Sequence, residues 1–277
     1  MNPIFLEPLQ VDRLNIKIRN LPESLAGTKL VQMSDFHYDG YCLTPEFLEE
    51  AISISNGENP DLVLLTGDYV TDDPTPIHDL ASRIKYLKSR HGVYACLGNH
   101  DNYYSQGRAD ITKALTKVNV QVLWNEIAKP FGEQFPLVGL ADFWSGEFSP
   151  KKILEQIDPH TPRLVLSHNP DTAALLKNWR VDLQLSGHTH GGQITIPGYR
   201  PVPILIQELG QSIPKPLRGW IPFLKECSQV VRHWEWSQGH HEVDSNQLYV
   251  NRGLGTYFPG RIFCPPELTV ITLERYG

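Results

Sequence analysis

Seven side chains able to bind a metal fall in five short motifs. They are Asp35 and His37 in Asp-Phe-His, Asp68 in Gly-Asp, Asn99 in Gly-Asn-His-Asp, His168 in His-Asn-Pro, and His188 and His190 in Gly-His-Thr-His. Carboxylate, amide and imidazole donors without a thiolate suit Mn, Fe, Ni or Zn rather than an iron–sulfur centre. The Gly-Asn-His-Asp motif adds His100 and Asp101, an imidazole beside a carboxylate, a pairing able to move protons. Each motif is weak alone. Gly-Asp is commonly only a turn, and a lone histidine is more often structural than a ligand. His78, His91, His160, His233, His240 and His241 fall in that ordinary class.

The set differs because every motif closes a short apolar run. Lys29 to Ser34 leads into Asp35, and Asp61 to Thr66 into Gly67-Asp68. Gly92 to Leu97 leads into Gly98-Asn99-His100-Asp101, Arg163 to Ser167 into His168, and Val181 to Ser186 into Gly187-His188-Thr189-His190. Runs of that length predict buried strands. Open α/β sheets bind ligands outside the carboxyl ends of their strands. Five such ends therefore predict one site, scattered in sequence and gathered in space.

Helices must separate these strands. Thr44-Pro45 predicts a helix start, with threonine as cap and proline in the first turn; Phe47, Leu48, Ala51 and Ile52 give it an apolar face, and Gly57 can end it. Thr75-Pro76 repeats the signal ahead of Ile77, Leu80, Ala81, Ile84 and Leu87. Ile111, Leu115 and Val118 predict a third helix, and 150–157 and 170–178 two short ones. Val11 to Ile18 alternates polar and apolar, the pattern of a half-buried strand near a sheet edge. Further strands are expected at 137–141, 247–251 and 268–273. Strands alternating with helices predict an α/β fold. The ligands run from Asp35 to His190, so any cut between them would split the site. One domain over 1–277 is the expectation, with a Pro- and Trp-rich, cap-like insertion at about 198–246.

The chain has 277 residues, 40% hydrophobic and 20% charged, and a net charge of −6. It carries no global basic footprint, so a nucleic-acid partner is not expected; no protein partner is predicted either. Cys42, Cys96, Cys227 and Cys264 lack C-x-x-C spacing, and reduced thiols are expected. No apolar run approaches the ~20 residues of a membrane span, and 1–9 lacks the pattern of a secretory signal. The expected location is cytoplasmic, peripheral to a membrane if the insertion meets lipid. Trp220, Phe223 and Leu224, with Leu217 and Ile221, lie among Lys215, Arg218 and Lys225. That mix is able to rest on an anionic bilayer or admit acyl chains; a lid whose aromatics pack on the core is the competing reading.

In type and order the five motifs resemble the calcineurin-like metallophosphoesterase superfamily, over residues 35–190. The continuation Gly191-Gly192-Gln193, and Asn251-Arg252-Gly253-Leu254-Gly255 with Cys264-Pro265-Pro266-Glu267, look like its bacterial YkuE-type branch. That branch includes phosphodiesterases and UDP-diacylglucosamine pyrophosphatases of lipid A biosynthesis. The resemblance implies two mixed β-sheets packed as a sandwich and flanked by helices in four layers. It implies two divalent ions, Mn first, with Fe, Zn or Ni as alternatives. Asp35, His37, Asp68 and His190 would hold one, and Asp68, Asn99, His168 and His188 the other. A bridging carboxylate sets such ions ~3.5–4 Å apart, and water activated between them attacks phosphorus in line. The resemblance further implies that His100 protonates the leaving group, and Asp101 stands ready to orient it. Arg252 and Arg261 are candidates for binding phosphate, whose oxygens a guanidinium matches bidentately.

The expected function is therefore a metal-dependent phosphohydrolase cleaving a phosphodiester or pyrophosphate, including a lipid-linked substrate such as UDP-diacylglucosamine. The competing enzymes are a cyclic-nucleotide phosphodiesterase and a protein phosphatase. The competing class is a non-catalytic metal-binding scaffold, against which every motif position, including His100, is filled.

Overall fold

The computed structural model describes residues 7–104, 106–196, 201–212, 230–256 and 260–276. The basic and aromatic patch expected around Lys215, Trp220 and Phe223 lies outside them, as does Cys227.

In chain order the elements are β1 (Gln10–Ile18), β2 (Lys29–Met33), α1 (Pro45–Gly57), β3 (Leu62–Leu65), α2 (Ile77–Ile84), β4 (Val93–Ala95), α3 (Gly107–Thr116), β5 (Val120–Val122) and β6 (Glu126–Ala128). There follow β7 (Leu137–Gly139), α4 (Pro150–Leu154), β8 (Leu164–Leu166), α5 (Thr172–Leu176), β9 (Leu183–Ser186), α6 (Val202–Ser212), β10 (Gly239–Val243), β11 (Asn246–Val250) and β12 (Glu267–Arg275). Among the described residues the strands form two six-stranded sheets, ordered β1-β12-β2-β3-β4-β5 and β10-β11-β9-β8-β7-β6. The run from β2 to β5 is parallel; β12 is antiparallel to β2 and parallel to β1. In the second sheet β11, β9, β8 and β7 are parallel, and β10 and β6 are antiparallel edges.

Alternation along each strand sorts its side chains into layers. Leu30, Leu62, Leu64 and Tyr94 of the first sheet share a core with Leu137, Leu164, Leu166, Leu183 and Leu185 of the second. On the other face of the first sheet, Val31, Met33, Val63 and Leu65 pack with Leu48 and Ile52 of α1, Leu80 and Ile84 of α2, and Ile111 and Leu115 of α3. Val138 and Val165 pack with Ile153 and Leu154 of α4 and Leu176 of α5. The result is the expected four-layer sandwich. Each such side chain contributes about 1.5–3 kcal/mol on burial. A polar tie crosses the core below the predicted site: Gln32 Nε2 donates to Thr66 Oγ1 (3.0 Å) and to the Ser186 carbonyl (2.9 Å), joining β2 to the residue that follows β3 and to β9.

Helix α1 starts as its sequence predicts, with Pro45 in the first turn and Thr44 Oγ1 accepting from the Phe47 amide. Helix α2 does not. Asp73 Oδ1 takes both the amide and the hydroxyl of Thr75, so the chain turns there and the helix begins after Pro76 without a side-chain cap. Within the stretch set apart by its composition, Gly239–Val243 forms β10 and belongs to the second sheet. No helix among the described residues is long and apolar enough to cross a membrane.

Candidate active site

The predicted residues do meet. Asp35 and His37 follow β2, Asp68 follows β3, Asn99 to Asp101 follow β4, His168 follows β8, and His188 and His190 follow β9. The first sheet thus supplies Asp35, His37, Asp68 and Asn99, and the second His168, His188 and His190. Five of these residues have positive φ: Asp35 (48°), His37 (40°), Asp68 (54°), His188 (74°) and His190 (50°). Side chains other than glycine rarely adopt this region, at a cost of order 1–3 kcal/mol each, and such strain concentrates at functional sites. Bonds between neighbouring loops hold it in place: Asp35 N donates to Gly67 O (2.9 Å) and His37 N to Asp68 O (3.0 Å).

Three overlapping groups of potential ligand atoms result: Asp35, His37 and His190; Asp68, His168 and His188; and His37, Asp68 and His100. Asp68 Oδ2 lies 3.0 Å from His168 Nε2 and 3.6 Å from His37 Nε2. His37 Nε2 and His190 Nε2 are 3.1 Å apart, and His190 Nε2 is 3.5 Å from Asp35 Oδ1. His188 Nδ1 is 3.2 Å from His168 Nε2. Asp35 Oδ2 and Asn99 Oδ1 are buried without a hydrogen-bond partner. Leaving a buried acceptor unpaired is costly. Unpaired oxygens, and imidazole nitrogens turned toward one another, are what a divalent cation would satisfy; the donor set fits one.

Backbone amides hold the carboxylates. Asp35 Oδ1 accepts from His188 N (2.8 Å), and Asp68 Oδ1 from His100 N (3.0 Å). Asp101 was expected to orient His100. Its carboxylate instead accepts three amides, those of Asp68 (3.0 Å), Tyr69 (2.9 Å) and Gly98 (2.8 Å), and so staples the β3 and β4 loops together. The contact at His100 Nδ1 is the Thr71 carbonyl, at 2.7 Å.

The electrostatics divide the histidines. Burial holds His37 and His188 down to about 3, and pushes His190 well below the usual range with help from His37 and Arg261. All three are therefore neutral at neutral pH and able to coordinate. Burial also opposes charge on His168 and Asp68, but their 3.0 Å contact outweighs it. His168 is raised to about 10 and Asp68 is held well below the carboxylate range. Burial pushes Asp35 up to about 6.

Arg252 and Arg261, the candidates for binding phosphate, are both engaged within the chain. Arg252 pairs with Asp12 (3.0 Å) and Glu267 (3.2 Å). Arg261 is buried, and its guanidinium donates to the carbonyls of Arg252 (2.6 Å), Gly253 (3.1 Å) and Gly255 (2.6 Å). Both brace the loop after β11, whose Leu254 and Gly255 amides bond to Ser34 O and Asp35 O. A Cβ on Gly253 would stand 2.6 Å from Asp35 Cβ, so glycine lets this loop lie against the Asp35 turn.

The motif pattern passes over Asp142, which follows β7 and the apolar run Leu137 to Ala141. It is buried, its Oδ2 accepts from the Trp144 amide (3.0 Å), and its Oδ1 has no partner. Its signal was the one used for the others, a short apolar run ending in a carboxylate. Asp142 and Asn99 line a cleft of about 330 Å3 walled by Tyr103, Tyr104, Arg108 and Trp144.

Comparison with known proteins agrees with this geometry. Residues 28–192 match the family model described as calcineurin-like phosphoesterase. The chain is 30% identical over 274 residues to the phosphodiesterase YaeI of Escherichia coli (strain K12), covering 97% of this chain and 90% of that one. It is 31% identical over 278 residues to the metallophosphoesterase YkuE of Bacillus subtilis (strain 168), covering 98% and 88%. It is 30% identical over 316 residues to the UDP-2,3-diacylglucosamine pyrophosphatase LpxG of Chlamydia muridarum, covering 96% and 90%.

Proposed function

The chain belongs to the calcineurin-like phosphoesterase family and is a metal-dependent phosphoester hydrolase, and on that premise we propose that it cleaves a phosphodiester or pyrophosphate bond at a two-cation site bridged by Asp68. The observation that carries this reading is the position of Asp68, which belongs both to the group with His168 and His188 and to the group with His37. Asp35, His37, Asp68 and His190 would hold the first ion; Asp68, Asn99, His168 and His188 would hold the second. The all-N,O donor set admits Mn, Fe, Ni or Zn; manganese, the metal the family resemblance puts first, is the one we propose. When bound, the ions polarise phosphoryl oxygens and lower the pKa of water.

The chain's own groups do the rest. Asp68 is fixed by the His100 amide and offers Oδ2 to both sides. His168 in the metal-free protein carries a proton that balances Asp68, which the second cation would replace. His100 donates Nδ1–H to the Thr71 carbonyl, and so Nε2 is the atom that passes a proton to the leaving oxygen. Asn99 opens onto the cleft beside Asp142, where the leaving part of the substrate would lie. We further propose one domain over 1–277, cytoplasmic and peripheral to the membrane, acting on a lipid-linked substrate of the UDP-diacylglucosamine kind; the names of relatives such as LpxG support that substrate class.

The test is a screen of the manganese-loaded protein against bis-nitrophenyl phosphate, cyclic nucleotides, a phosphopeptide and UDP-diacylglucosamine, beside Asp68→Ala. Turnover of a diester or the pyrophosphate by the native protein, with ions and turnover lost in Asp68→Ala, is expected. Turnover of the phosphopeptide alone, or two ions retained in Asp68→Ala, would overturn the reading.

A further inference from the structure

His188 is held from outside the five motifs. Its Nε2 lies 2.9 Å from the Val230 carbonyl oxygen, which can only accept, so Nε2 carries the hydrogen. Nδ1 is then the lone pair, and it faces His168 Nε2 at 3.2 Å. The position of one carbonyl thus selects the coordinating nitrogen of the ring.

The carbonyl is itself pinned. Arg232 N donates to Asp171 Oδ2 (2.7 Å) and His233 N to Asp171 Oδ1 (3.0 Å), so one carboxylate grips two successive amides. Asp171 is 7% exposed and stands three residues after His168, on the turn between β8 and α5. Its own amide bonds to Asn169 Oδ1 (2.9 Å). The intervening Val231 is buried, and Gln207 of α6 donates to the Arg232 carbonyl (3.1 Å). The turn that carries His168 therefore also anchors the strand of chain that orients His188.

We propose that Asp171 is a positioning residue for the second cation: by clamping the Arg232 and His233 amides it sets the Val230 carbonyl against His188 Nε2 and presents Nδ1 for coordination. This rests on the reading of His188 as a ligand. Asn is the sharpest substitution, since its NH2 would oppose one of the two amide donors at unchanged size. Loss of such an outer partner weakens metal binding about 10–100-fold.

Manganese titration by calorimetry compares the full-length protein with Asp171→Asn and His188→Ala, and a long-range 1H–15N spectrum of the metal-free protein reads the His188 tautomer. Native protein should show one tautomer, with hydrogen on Nε2. Asp171→Asn should mix the tautomers and bind the second ion about 10–100-fold more weakly, with the first ion unchanged. A purely structural role would lower thermal stability without this selectivity. An unmixed tautomer with both ions at native affinity overturns the proposal. Native affinity for both ions in His188→Ala instead overturns the ligand assignment, a separate failure. If Asp171→Asn does not fold, Asp171→Ser, which leaves both amides to water, carries the same comparison.

Discussion

Gly67→Ala tests whether the turn before Asp68 must leave room for His168. A Cβ at this position would stand 2.6 Å from Gly98 N and 2.8 Å from His168 Nδ1, about 0.8 and 0.6 Å inside the 3.4 Å of ordinary contact. The φ of +98° adds backbone strain. Strain is worth about 1–3 kcal/mol and crowding in a packed site about 1–3 kcal/mol. The substitution should therefore cost about 2–6 kcal/mol, against the about 5–15 kcal/mol of an ordinary domain. The ring must also yield, and its Nδ1 contact to the Thr66 carbonyl (2.6 Å) goes with it. Second-ion affinity should fall about 10–100-fold. Gly132→Ala is the control, because it has φ +81° and nothing within 4 Å, so it carries the strain without the crowding. Urea unfolding and manganese calorimetry read the two effects. Equal stability loss in both variants, with native metal affinity in Gly67→Ala, would refute the reasoning.

Two further outcomes follow from the same site. His100→Ala should keep its metals and lose roughly 10²–10⁴ in kcat on substrates with poor leaving groups, but less on nitrophenyl esters; equal losses on both in steady-state kinetics would remove the acid role. Because His168 is raised to about 10 while His37 and His188 are held near 3, the second ion must displace a proton at neutral pH. Its affinity should rise about tenfold per pH unit between 7 and 9, and calorimetry in buffers of different ionisation enthalpy should read about one proton released per second-site ion; no release at pH 8 would contradict the assigned charge states.

The strand ends were legible because each is a short apolar run stopped by a polar ligand, and burial on both faces writes that pattern plainly into sequence. What escaped were contacts made by chain direction rather than residue type. Asp101 neighbours His100 in sequence, but in the tight turn His100–Asn102 consecutive side chains point about 120° apart, and the carboxylate turns inward to the amides. Arg252 and Arg261 carry the right group for phosphate; that Asp12 from β1 and Glu267 from β12 pair with Arg252 only the sheet order reveals. Asp142 had the pattern but lies outside the five motifs that carry the family resemblance. Asp171 showed nothing, since the groups it binds are backbone.

The place of β12 bears on how the protein is made. β12 lies between β1 and β2, and among the described residues β1 pairs with nothing else in its sheet. Residues 10–18 must therefore wait for residues 267–275 to leave the ribosome. At 5–20 residues per second that is roughly ten to fifty seconds with an unpaired strand. Nascent strands of this kind invite pairing with other chains. Asp12, Arg13 and Lys17, set along β1, place charge on that strand during the delay, and the same charges guard the edge it forms in the finished sheet.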